Sequence, residues 1–115
     1  MPDRLRHFEI GISDMDRAKE FYGALFGWRF HSDGPNYAMI QTGSDLEGGL
    51  THISTNRPPW LVLYMQVDDI DEKLEQAKEL GAEIVKRKTL IHEDYGYFGL
   101  FKDPSGNLVG LLSDE

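Results

Sequence analysis

In the stretch "RHFEIGISD", residues 6 to 14, His7 and Glu9 stand two positions apart. Phe8, Ile10 and Ile12 alternate with them, and that is the period of a strand, whose successive side chains leave on opposite faces. His7, Glu9 and Gly11 therefore share one face and the apolar residues take the other. An imidazole beside a carboxylate supports three kinds of chemistry. The pair can contribute to a divalent-metal site, the carboxylate can serve as a general base if burial raises its pKa, or both can hydrogen-bond a ligand. The plain structural reading of Glu9 is a carboxylate satisfied by a neighbouring hydroxyl or N–H. A metal needs several N or O donors converging at about 2.0–2.2 Å, so the outcome turns on what stands around His7.

Other groupings offer less. His92, Glu93 and Asp94 are consecutive, and consecutive side chains of an extended chain diverge, so they read as a solvated loop able to cover the mouth of a cavity. His31 adjoins a turn and is expected to face solvent. Gly48-Gly49-Leu50 is too short for a phosphate cradle and lacks the lysine of a P-loop. No Ser-His-Asp or Cys-His arrangement and no dinucleotide fingerprint is signalled.

The elements that must position these residues can be read from the same periodicities. After the strand at 7 to 13, Ser13 or Asp14 caps a helix in which Ala18, Phe21, Tyr22 and Leu25 recur at helical spacing, and Gly27 stops it. Short strands follow at Trp28–His31, Tyr37–Thr42 and Leu50–Ser54, separated by Asp33-Gly34-Pro35-Asn36 and Gly43-Ser44-Asp45. Arg57-Pro58-Pro59 reads as a linker, and the plan then repeats. Leu61, Leu63, Met65 and Val67 alternate with Trp60, Val62, Tyr64 and Gln66. Asp68 or Asp69 caps a second helix carrying Ile70, Leu74, Ala77 and Leu80, stopped by Gly81. Strands are expected at Glu83–Leu90, Tyr97–Lys102 and Leu108–Leu112, with a tight turn at Asp103-Pro104-Ser105-Gly106. An offset of 55 superposes the halves: Ile10 on Met65, Asp14 on Asp69, Glu20 on Glu75. The expectation is one domain over residues 1–115, with module one at about 4–56 and module two at about 59–113.

Composition bounds the function. Twelve Lys and Arg against 20 Asp and Glu give a net charge of −8, which speaks against nucleic acid and anionic membranes as partners. Cysteine is absent, so there are no disulfides and no thiolate chemistry. MPDRLRHF lacks the apolar stretch of a signal peptide, and the longest apolar runs are strand-sized. The expected location is the cytoplasm.

Three stretches, "ISDMDRAKEFYGALFGW", "VDDIDEKLEQAKELGAEIV" and "FGLFKDPSGNLVGLL", give the chain a resemblance to the vicinal oxygen chelate superfamily, which includes glyoxalase I, the bleomycin-resistance proteins and ring-cleaving dioxygenases. The resemblance spans roughly Arg6 to Leu112. It implies an α+β fold of paired βαβββ modules, eight strands forming an open cup with two main helices, and a homodimer. It also implies metal ligands on the first and last strands of each module. His7 falls on the first of these positions, and the repeat carries it to residue 62, which is Val. The last-strand position of the second module, four residues past Gly106, is Gly110. The remaining ligand belongs within Gly48 to Thr51, which holds no carboxylate or imidazole. His52 is adjacent, but a one-residue shift on a strand turns a side chain to the opposite face. The usual metal is therefore disfavoured, and no cofactor is expected.

Strand parity places His7, Glu9, Trp60, Tyr64, Gln66, Tyr97 and Phe101 on the cup side, an aromatic wall with a few polar groups of the kind a small-molecule site requires. Core packing is the competing explanation for the aromatics. Register leaves Tyr37 and Trp28 unassigned to a face. The first functional expectation is a binder of a small organic molecule in the manner of the resistance proteins, with no catalytic metal, the negative charge favouring a cationic ligand. The alternatives are a metal-dependent lyase (like lactoylglutathione lyase), isomerase or dioxygenase with a site rearranged around His7, Glu9 and His52, and a regulatory or interaction domain with a vestigial cup. No catalytic residue is assigned. Apolar side chains at Phe26, Trp28 and Phe30 are expected to be covered in a homodimer.

Overall fold

Twice along the chain an aspartate ends a strand and opens a helix. Asp14 lies in extended conformation and its carboxylate accepts from the Arg17 N–H; Asp69 does the same for the Glu72 N–H. Each satisfies one of the backbone donors that a helix start leaves open, and each adds negative charge at the positive end of the helix dipole. Gly27 closes the first helix in the left-handed region, at φ 72°, with its N–H donating to the Gly23 carbonyl. A β-carbon at residue 27 would be strained there, so glycine is the natural stop.

The computed structural model describes residues 2–53 and 60–115; the Arg57-Pro58-Pro59 linker and Ser54 lie outside them. The elements are β1 (Arg4–Ile12), α1 (Met15–Phe26), β2 (Arg29–Ser32), β3 (Tyr37–Gln41), β4 (Glu47–His52), β5 (Leu61–Gln66), α2 (Ile70–Glu79), β6 (Glu83–His92), β7 (Gly96–Lys102) and β8 (Leu108–Ser113). That is the order βαβββ written twice. No helix among the described residues is long and apolar enough to cross a membrane.

Two compact units divide the chain. One is His7–Val62; the other is Leu63–Glu115 together with the residues up to Arg6. In the first, the strand order is β2-β3-β4-β1, with β1 and β4 parallel and the remaining pairs antiparallel. In the second, the order is β5-β8-β7-β6, with β5 and β8 parallel. An ion pair of 2.9 Å between Asp3 and Lys73 ties the N-terminal residues to α2.

Each unit has its own core, built where a helix covers one sheet face. Ala18 of α1 packs with Ala38, Ile40 and Leu50, and Phe8, Ile10, Ile12, Tyr22, Trp28 and Phe30 close around them. Ile70 and Leu74 of α2 pack with Val67 and Leu111, joined by Met65, Ile84, Tyr97 and Phe101. Ile40, Leu50, Ile70 and Leu74 are fully buried, and each contributes about 1.5–3 kcal/mol of apolar burial. Trp28 and Phe30 are thus core members, not an exposed apolar edge. Trp28 stacks on Tyr22 with ring centroids 5.5 Å apart.

β4 begins at Glu47, three residues ahead of its expected start. Gly48 and Gly49 read as turn residues in isolation, yet in the sheet they serve close packing. The Phe8 ring occupies the space of a β-carbon at residue 48, and the Tyr37 phenol occupies that at residue 49. Glycine admits both aromatics against the strand. The turn before β8 is as expected. The Gly106 N–H donates to the Asp103 carbonyl at 2.9 Å, and the Asp103 carboxylate accepts from the Ser105 and Asn107 N–H groups and from Asn107 Nδ2. Those donors, the Asn107 side chain first, hold the Asp103 carboxyl below its ordinary value of 3.8.

Candidate functional site

The face of the first unit turned away from α1 is assembled by register. β1 contributes His7, Glu9 and Gly11. Their parallel partners on β4 are Glu47, Gly49 and Thr51, and β3 sets Tyr37 beside Thr51 and Met39 beside Gly49. The phenol of Tyr37 crosses Gly49 and its hydroxyl stands 3.1 Å from His7 Nε2. The same nitrogen lies 4.0 Å from Glu9 Oε2, and the two side chains keep only 17% and 19% of their surface exposed. Thr51 Oγ1 is buried with no hydrogen-bond partner among the described residues. A buried hydroxyl left so is a place where a water or a ligand atom is needed.

Trp60 joins this face. The Gly11 N–H donates to its carbonyl at 2.8 Å, and its Cε2 would lie 3.2 Å from a β-carbon at residue 11. His52 does not join. It pairs with Ile12, whose side chain packs under α1, and it is exposed at the strand end. Register therefore does not bring His52 to the face that carries His7 and Glu9.

In the second unit, Tyr64 and Gln66 alternate with Met65, which packs against the α2 cluster, so both face away from α2. Tyr64 pairs with Gly110 and lays its ring over it, filling the space a β-carbon would need. The offset of 55 carries Glu9 onto Tyr64, and each of these first-strand residues pairs with a glycine on the last strand of its unit, Gly49 and Gly110. At equivalent places, then, each unit has a glycine roofed by a tyrosine: Tyr37 supplied by β3 in the first, Tyr64 by the partner strand itself in the second.

Tyr97 and Phe101 depart from expectation. β7 pairs with β8 so that Gly99 meets Leu111, Tyr97 meets Ser113 and Phe101 meets Val109. A β-carbon on Gly99 would lie 2.9 Å from Ile70 Cγ2 of α2, and Leu111 belongs to the α2 cluster. Tyr97 and Phe101 share that side and pack on the helix. The β7 residues on the Tyr64 side are Phe98 and Leu100, opposite Leu112 and Gly110. Alternation within a strand says which residues share a face; which face it is depends on pairing with the neighbouring strand. Gly99, between Phe98 and Leu100, is the one local sign that something packs closely there. Tyr37 and Thr51 were also missed, the first for want of a register and the second because a lone threonine carries no signal. His92, Glu93, Asp94 and Tyr95 are exposed at the β6–β7 turn, where His92 Nδ1 lies 3.6 Å from Asp94 Oδ2.

These residues do not fit the metal that the superfamily resemblance implies. Its ligand positions carry His7, the segment Gly48 to Thr51, Val62 and Gly110. Two of the glycines in those positions lie under tyrosine rings, and among the described residues no three His, Asp or Glu side chains converge as a ligand set. Two donors, His7 and Glu9, fall short of the coordination a divalent ion requires.

Comparison with known proteins agrees with this architecture. The family model "Bleomycin resistance protein-like N-terminal" matches residues 4–43. "Putative glyoxylase CFP32" of Mycobacterium bovis is 26% identical over 112 residues, covering 90% of this chain; the chain spans 42% of that relative's length. Among solved structures, methylmalonyl-CoA epimerase from Mycobacterium tuberculosis superposes with a TM-score of 0.73 at 20% identity, over 96% of this chain and 87% of the other. The Mn(II)-bound glyoxalase from Novosphingobium aromaticivorans gives 0.73 at 22% identity, over 98% of this chain and 40% of the other. At these identities the structures establish a shared fold.

Proposed function

We propose that this chain is a member of the vicinal oxygen chelate superfamily, a reading supported by the family-model match over residues 4–43 and the shared fold, and that it binds a small organic molecule through hydrogen bonds and aromatic contacts, without the four-ligand metal of its metal-using relatives. The observation that carries this reading is the pair of roofed glycines. Where relatives need a ligating side chain to project, Gly110 lies beneath Tyr64, and Gly49 lies beneath Tyr37. What these faces offer instead is a carboxylate at Glu9, an imidazole held by a phenol at His7, and the indole of Trp60. Such a mixture suits a ligand with a flat apolar part and one or two polar groups. The net charge of −8 favours a cationic one.

A screen of small aromatic and cationic compounds by thermal shift, on protein purified without a polyhistidine tag, tests this. A ligand should raise the melting temperature with EDTA present as well as without it, and Glu9→Gln and Trp60→Ala should each abolish the shift. Elemental analysis of the same protein should find no stoichiometric zinc, nickel, manganese or iron. A metal present at one per chain and lost in His7→Ala would instead support the metal-dependent lyase, isomerase or dioxygenase, for which the closeness of His7 and Glu9 speaks. Failure of every compound to stabilise the protein would favour a regulatory domain with a vestigial cup.

A further inference from the structure

Where the first unit packs two aromatic rings against its core, the second unit has two methyl groups. The offset of 55 sets Ile10 on Met65, Ile12 on Val67 and Tyr22 on Ala77. Counted from the helix stops at Gly27 and Gly81, Trp28 falls on Ala82. Strand pairing sets Leu50 on Leu111, since Ile10 meets the first and Met65 the second. In the first unit Tyr22 and Trp28 stack, 5.5 Å between centroids, against the core that holds Leu50. In the second unit a cavity of about 310 Å³ lies between α2 and its sheet. Met65, Val67, Phe101 and Leu111 line it from the sheet side, and Ala77 and Leu80 from the helix side. Val67 and Leu111 are core residues, only 3% and 2% exposed, so the cavity reaches down to the core.

We infer that this cavity binds a small planar aromatic molecule carrying one N–H or O–H donor, the class to which indole and phenol belong. The first unit shows what the same scaffold packs at the equivalent place, and its two side chains there are a phenol and an indole. The walls suit a ring as well. The Met65 thioether makes favourable contacts at aromatic edges, and the Phe101 ring offers an offset stacking partner. A bound ring would also cover Leu80, which is otherwise 74% exposed.

The polar lining groups are few: Gln76, and Asp3 with Lys73 in their 2.9 Å ion pair. Lys73 already holds the Asp3 carboxylate, so the lining asks for no ionic ligand, while that carboxylate and the Gln76 carbonyl can each accept from a single donor. Small-molecule sites begin at about 300 Å³, and a cavity at that lower end limits the ligand to one or two rings. Met65 packs toward α2, whereas Tyr64 and Gln66 face away from it. The cavity shares no residue with the face of His7 and Glu9.

Methionine-methyl NMR of the full chain, titrated with indole and with phenol to millimolar concentration, tests the inference. Met65 lines the cavity and Met39 stands beside Gly49 on the Glu9 face, so the two methyl groups report the two places separately. Each probe should move the Met65 signal saturably, in the parent and in Glu9→Gln alike. Ala77→Tyr, which copies Tyr22, fills the space; it should raise the melting temperature by itself and weaken both probes at Met65 about tenfold. Should that variant fail to fold, Ala77→Leu serves in its place. Cyclohexanol, close to phenol in size but without the planar ring, should bind about tenfold more weakly than phenol. A Met65 signal that neither probe moves, or one that responds as strongly in Ala77→Tyr as in the parent, overturns the site. A response confined to Met39 overturns it too, while supporting the Glu9 face. Equal binding of cyclohexanol and phenol overturns the aromatic class.

Discussion

The phenol of Tyr37 lies across Gly49 and reaches His7, its hydroxyl 3.1 Å from the imidazole Nε2. One glycine thus decides where a tyrosine can lie, and the tyrosine in turn decides the orientation of the histidine beside Glu9. Tyr37→Phe keeps the ring and removes only this hydrogen bond. It should cost about 0.5–1.5 kcal/mol in denaturant unfolding. It should also move the NMR resonances of the His7 ring, whereas those of exposed His31 and His92 should stay in place.

Gly49→Ala places a methyl group inside the Tyr37 phenol. Either the ring moves off His7 or the strand shifts, and overpacking of this kind costs about 1–3 kcal/mol. In a Tyr37→Ala background the same substitution should cost a small fraction of that. The double-mutant cycle measures the coupling directly, and additive effects would show that the ring does not require the glycine.

Phe98 and Phe101, both on β7, take opposite faces of the sheet. Phe101 packs on the α2 cluster, so Phe101→Ala should lower stability by up to about 3 kcal/mol and leave the affinity of any ligand found for Glu9 and Trp60 unchanged. Equal loss of stability in Phe98→Ala and Phe101→Ala would contradict this assignment of faces.

Asp103 carries a pH dependence of definite sign. Its carboxyl is held below the ordinary 3.8 in the folded chain, so the unfolded state binds the proton first as pH falls. The stabilisation is complete above that ordinary value and is lost as pH drops through the lower folded one. Asp103→Ala should lower the melting temperature at neutral pH, and the difference from the parent should shrink as the solution is acidified below about pH 4. A difference that holds constant across that range would mean that the turn does not depend on the ionised carboxylate.

Much of the architecture was legible in the residues. Asp14 and Asp69 announce helix starts, and Gly27 with Gly81 announces the stops, because capping and left-handed backbone are local chemistry that needs no distant partner. The 55-residue offset follows from the same local signals written twice, so βαβββ in duplicate could be read before any coordinate was known. Val62 and Gly110 at the expected ligand positions were likewise plain, since neither side chain can ligate. What lay beyond reach was every property that depends on which strand lies beside which. Gly48 and Gly49 look like a turn until Phe8 and Tyr37 are seen to need their missing β-carbons. Tyr97 and Phe101 alternate correctly, yet they face the helix because Gly99 meets Leu111 across the sheet. Local sequence specifies the period of a strand; only pairing with neighbours, set by long-range contacts, specifies which phase of that period meets the helix and which carries the site.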